Sequence, residues 1–135
     1  MLRLAGQAPF RLRPLSSNVR RLQMPGFSHR PLTEPERWVS QYESFVAELR
    51  DGYSMSVYEY TNDLSCRDRL EAAKETPEVA AIWARVERSD DVLRGLLLPT
   101  KRGISGDRPR SQFWFWGYPP GSPELEADLR SRGAI

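Results

Sequence analysis

The segment from Lys101 to Tyr118 holds the residue types best suited to binding. Four cations, Lys101, Arg102, Arg108 and Arg110, stand directly before five aromatics, Phe113, Trp114, Phe115, Trp116 and Tyr118. Proteins that hold single-stranded nucleic acid combine cationic grooves with stacking aromatics in this way. Protein interfaces are also enriched in Trp, Tyr and Arg. A third reading makes the aromatics core and the basic stretch a solvated loop, since four tryptophans in a small domain favour burial.

Two other groups could do chemistry. On a helix, Glu59, Asn62 and Asp63 share a face at i, i+3 and i+4. Paired carboxylates perform acid–base work when their surroundings drive their pKa values apart. The alternative is a solvated face on which Asp63 pairs with Arg67 four residues on. Cys66 has one possible imidazole partner, His29, about forty residues away, so a half-buried structural thiol is the expectation. One His and one Cys do not make a zinc site, and Asp90-Asp91 reads as solvated helix surface. There is no Gly-x-Ser-x-Gly, P-loop or Gly-x-Gly-x-x-Gly motif. Neither a metal nor a cofactor is expected.

The elements that must position these residues are mostly helical. Thr33-Glu34-Pro35-Glu36 is a capping box with proline in the first turn. Trp38, Tyr42, Phe45, Val46 and Leu49 continue it as a helical stripe to about residue 50, where Asp51-Gly52 stops it. A second helix is expected over about 57–75, opened by a capping box at Ser56-Val57-Tyr58-Glu59, with a start near residue 62, offered by Thr61-Asn62, as the alternative. Its apolar residues fall on two faces, Val57, Tyr60 and Leu64 against Cys66, Leu70 and Ala73. Thr76-Pro77-Glu78 opens a third, with a stripe from Val79 through Trp83 and Val86 to Leu97, interrupted at Ser89-Asp90-Asp91 and stopped by Pro99. Residues 99–112 form a basic loop, and Phe113–Trp116 a short strand ended by the Gly117–Gly121 turn. Ser122-Pro123-Glu124 starts a last short helix that ends at Gly133. The fold expected is mainly α, three to four helices with one short aromatic β-strand or hairpin near the C-terminus. The alternative is α+β, with a small sheet using residues 53–60. A lone strand cannot leave its backbone groups unpaired. Residues 53–60, the 97–104 region, or the same strand in a second copy would have to complete it.

Charge divides the chain. Residues 1–23 carry five arginines and no acid; without them 15 bases face 18 acids, a body of net −3. Arginine outnumbers lysine eighteen to two, a bias that phosphate recognition or a GC-rich genome would each produce. Residues 1–32 read as a basic arm with Pro9, Pro14, Pro25 and Pro31. Its possible origins are a disordered segment, a translation start truly at Met24, or a transit peptide. The domain proper spans 33–135. One cysteine permits no internal disulfide and fits a cytoplasmic location, with an organelle as the alternative. No run is long and apolar enough to span a membrane.

Together these features suggest a non-enzymatic protein-interaction module, its partner another protein or a second copy. Read as a strand, 113–116 turns Phe113 and Phe115 inward and Trp114 and Trp116 outward. The partner-binding surface would then be Trp114, Trp116 and Tyr118 with Arg108, Arg110, Lys101 and Arg102. The alternatives are a nucleic-acid or anion-binding domain using 101–118 and a carboxylate-based enzyme around Glu59–Asp63.

Overall fold

The structure, a computed structural model, describes residues 31–135. The expectations placed on residues 1–30, including the arm's origin and His29, lie outside the described residues.

Helix α1 spans Glu34–Glu48 behind the anticipated capping box. The Thr33 hydroxyl accepts from the Glu36 amide at 3.2 Å, and the Glu36 carboxylate accepts from the Thr33 amide at 2.9 Å. Val39, Tyr42, Phe45 and Val46 form its buried face, and Leu49 extends that face through a 3₁₀ turn, Leu49–Asp51. Trp38 lies only partly buried beside it, so Val39 takes the inner position expected of Trp38.

The helix expected over 57–75 is two helices, α2 (Val57–Asp63) and α3 (Ser65–Ala72), meeting at fully buried Leu64. The two-faced apolar pattern explains the break. α2 packs on the C-terminal helix α6 (Pro123–Ser131) and α3 on α1, so each apolar face meets a different neighbour. Residues 53–60 form no strand, which removes the α+β alternative. Tyr53 is buried in coil, with its amide donating to the Ser122 hydroxyl at 2.7 Å. The Ser56 hydroxyl bonds the Glu59 carboxylate instead of an amide. The cap on α2 comes instead from Asp128 of α6, whose carboxylate accepts from the Val57 amide at 3.0 Å.

The third predicted helix is also divided. A one-turn α4 (Pro77–Ala80), capped by Thr76, leads into α5 (Trp83–Leu96). The break falls at Ala81–Ile82 and not at Ser89–Asp91, which are regular helix. Ser89 and Asp90 are buried, so the expectation that Asp90 is solvated is corrected; Asp91 is exposed.

After α5 the chain forms β1 (Leu98–Pro99), which pairs antiparallel with β2 (Gly117–Tyr118), Leu98 opposite Tyr118 and Pro99 opposite Gly117. The fold is therefore mainly helical with a small hairpin-like sheet near the C-terminus, the partner strand coming from the 97–104 region. The aromatic run is not itself the strand. Phe113–Phe115 make a 3₁₀ turn, with Phe115 N–H donating to Gln112 and Trp116 N–H to Phe113. The turn replaces the alternation expected at 113–116. Adjacent Trp114 and Phe115 are both buried, while Phe113 and Trp116 are half-buried. α6 turns Leu125 and Leu129 inward and ends at Gly133.

Gly52 ties the two halves. Its backbone has φ 89° and ψ 174°, a region open essentially to glycine alone. A Cβ there would stand 2.1 Å from the Gly121 carbonyl oxygen. Gly52→Ala is expected to cost at least ~1–3 kcal/mol in urea unfolding from backbone strain alone. Gly95→Ala, on exposed α5 with open space around it, is expected to gain ~0.5–1 kcal/mol. Equal effects at the two sites would contradict this packing. Among the described residues no helix is long and apolar enough to cross a membrane.

Candidate functional site

A buried ionic hub supports the C-terminal loop. Arg67 does not pair with Asp63. Its Nε and Nη2 donate to the two Asp90 carboxylate oxygens at 2.9 and 3.0 Å, and its Nη1 to Glu71 at 3.0 Å. Tyr42 donates its hydroxyl to the same Asp90 at 2.5 Å. Burial opposes the charge on Arg67, but the bonds to Asp90 and Glu71 outweigh it and raise its pKa. Burial and the adjacent Asp90 push the Tyr42 phenol far above its ordinary range. The guanidinium lies 3.9 Å from the Trp114 ring centre and 5.1 Å from that of Trp83, a cation–π stack.

Trp114 passes this order outward. Its indole N–H donates to Asp68 at 3.1 Å, and the other Asp68 oxygen lies 3.3 Å from Arg108. Arg108 also donates to the Ser105 carbonyl and the Gln112 side chain, both at 3.2 Å, and its guanidinium lies over the Phe115 ring at 4.2 Å. The loop is further pinned by Ile104 N–H to Phe115 at 2.8 Å and Lys101 N–H to Ala134 at 2.7 Å. Gly103 permits a close crossing, since a Cβ there would meet the Gly106 carbonyl at 2.8 Å.

The loop and the end of α6 enclose an open cleft of about 790 Å³. Lys101, Arg102, Arg108 and Arg132 line it, against a single acid, Asp107. Trp116 forms part of its wall. The Trp116 indole N–H donates to the carbonyls of Arg108 and Pro109 at 3.3 and 3.2 Å, and Arg110 lies over its ring at 4.2 Å. Of the seven residues singled out as partner-binding, Lys101, Arg102, Arg108 and Trp116 thus meet at one cleft. Arg110 stacks behind it, Tyr118 sits half-buried on β2, and Trp114 is in the core. Arg132 was missed. It follows the last turn of α6, and only the fold brings it beside residues thirty positions earlier.

The carboxylate group does not assemble into one site. Glu59 is exposed, and the Ser56 hydroxyl holds its pKa below the usual value. Asp63 accepts from the Tyr53 hydroxyl at 2.6 Å, and burial raises its pKa. The two values move apart, but only Asp63 lines the neighbouring groove of about 560 Å³ between α1 and α3, beside Ser44, Glu48 and Cys66. Among the described residues no group of three or more His, Cys, Asp or Glu is placed to hold a metal.

Cys66 is buried, its thiol donating to the Asp63 carbonyl at 3.2 Å, and burial pushes its pKa up to about 11. The folded protein is therefore expected to react slowly with thiol reagents at pH 7 and faster only as the pH approaches that value. Rapid labelling at neutral pH would contradict a structural role. Searches of protein-family models, curated proteins and solved structures return no match to this chain.

Proposed function

We propose that this protein is a non-enzymatic interaction module that receives an acidic segment of a partner protein at the cleft between the 100–112 loop and α6. One observation carries this reading. Four cations and one acid line one concavity; Arg108 pairs with Asp68, while Lys101, Arg102 and Arg132 have no ion-pair partner among the described residues. Unpaired like charges held together favour an anionic partner and steer its approach. A single-stranded nucleic acid fits less well, because stacking needs free aromatic faces. Trp114 is enclosed, and Arg110 lies over Trp116. Self-association through the aromatic strand also loses support, since β2 finds its partner within the chain. The free, buried thiol of Cys66 fits a reducing compartment such as the cytoplasm.

The test is titration of the full chain with a Glu- and Asp-rich decapeptide, repeated with Lys101→Glu and Arg132→Glu. Each reversal is expected to weaken binding by about tenfold or more at low salt, with melting temperatures little changed because both residues are exposed. Unchanged affinity in both variants would place the interaction elsewhere.

A further inference from the structure

Resting on that reading, we propose that the group seated in the cleft is a phosphoryl, so that the partner segment is recognised in its phosphorylated form. Lys101, Arg102, Arg108 and Arg132 line one concavity. The Arg102 guanidinium carbon lies 3.9 Å from where a Cβ on Gly133 would stand, which sets it against the turn carrying Arg132. Successive carboxylates of an extended acidic peptide are spread along the chain at about 3.3 Å per residue. One phosphoryl group concentrates a charge of about −1.5 to −2 on three oxygens, which suits the Arg102 and Arg132 forks together with Lys101; the Arg108 fork is already bonded to Asp68, Ser105 and Gln112. The loop adds uncommitted donors. The amide N–H groups of cleft residues Gly103, Gly106 and Asp107 donate to no acceptor among the described residues.

The experiment titrates the full chain with three probes: a Glu- and Asp-rich decapeptide, the same peptide with one central phosphoserine, and single-stranded oligothymidylate. The phosphopeptide is expected to bind at least about tenfold more tightly than its unmodified form. Its affinity is expected to rise severalfold from pH 5.5 to 7.5 as the phosphoryl takes its second charge, near pH 6. The groups facing it are Lys101, Arg102, Arg108, Arg132 and Asp107, with no histidine among them, so the profile reports the phosphoryl itself. Arg102→Lys and Arg132→Lys, which keep charge but lose the fork, are expected to narrow the preference for the phosphopeptide while sparing the unmodified one. Equal binding of both peptides would overturn the phosphoryl and leave the acidic-segment reading standing. Binding of neither peptide would overturn both. Tighter binding of oligothymidylate than of phosphopeptide would also overturn both, in favour of nucleic acid.

Discussion

Asp90→Ala is expected to cost about 3–5 kcal/mol in chemical unfolding, among the largest losses of any single substitution in this chain. Asp90 is the shared acceptor for Tyr42 and for both donors on one edge of Arg67, and both ions are buried. Its removal leaves a buried guanidinium with only the partly exposed Glu71 as counter-ion. The next residue is the control. Asp91 is exposed and pairs only with Arg94, itself exposed, so Asp91→Ala is expected to stay within about 0.5 kcal/mol of the parent. The double variant Arg67→Met/Asp90→Leu, which removes both charges, is expected to recover much of the loss. An Asp90→Ala protein within 1 kcal/mol of the parent would show that the hub is not formed as described.

Trp114→Ala is expected to lose about 3–5 kcal/mol, matching Phe115→Ala and exceeding Trp116→Ala. Trp114 is 2% exposed, stacks on the Arg67 guanidinium and donates to Asp68, so its deletion opens a cavity and strips a face from the buried cation. Trp116 is half-buried, with the Arg110 guanidinium over its ring. Its truncation is expected to shift the melt less while weakening capture of an acidic peptide, because the cleft wall goes with it. Paired melts and titrations of the three variants decide the matter. If Trp116→Ala unfolds as readily as Trp114→Ala, the whole aromatic run is core.

Much of the helical skeleton was legible because its signals are local. The Thr33–Glu36 box, Pro77 and Pro123 at helix starts and Gly133 at a helix end each act within one turn, so residue types alone reveal them. What escaped depends on distant partners. The two apolar faces and Thr61-Asn62 hint at a break near Leu64, but only the different neighbours of α2 and α3 decide between one helix and two. Asp90 looked like surface because acids at helix positions usually are, and only Arg67, 23 positions earlier, makes its burial tolerable. The Phe113–Trp116 run has strong strand propensity, yet local bonds from the Phe115 and Trp116 amides to the Gln112 and Phe113 carbonyls wind it into a 3₁₀ turn that buries two consecutive rings. Most of the cleft's lining was visible as the basic stretch from Lys101 to Pro109. The rest, Arg132 above all, required knowing that α6 returns beside the loop.

The cap that Asp128 provides to α2 has a consequence for how the protein is made. The acceptor for the Val57 amide lies 71 residues downstream, and the hydroxyl that receives the Tyr53 amide lies 69 downstream. A chain emerging N-terminus first presents residues 53–60 long before either partner exists. Through that interval the Tyr53 and Val57 backbone donors stay bound to water. Closure of these long loops is the slow, entropically opposed step, so the nascent protein is most exposed to aggregation and proteolysis at this segment until α6 arrives. Ribosome-bound chains halted before residue 122 would therefore be cut by protease within 53–60, whereas chains halted well beyond residue 135 through an added linker would resist.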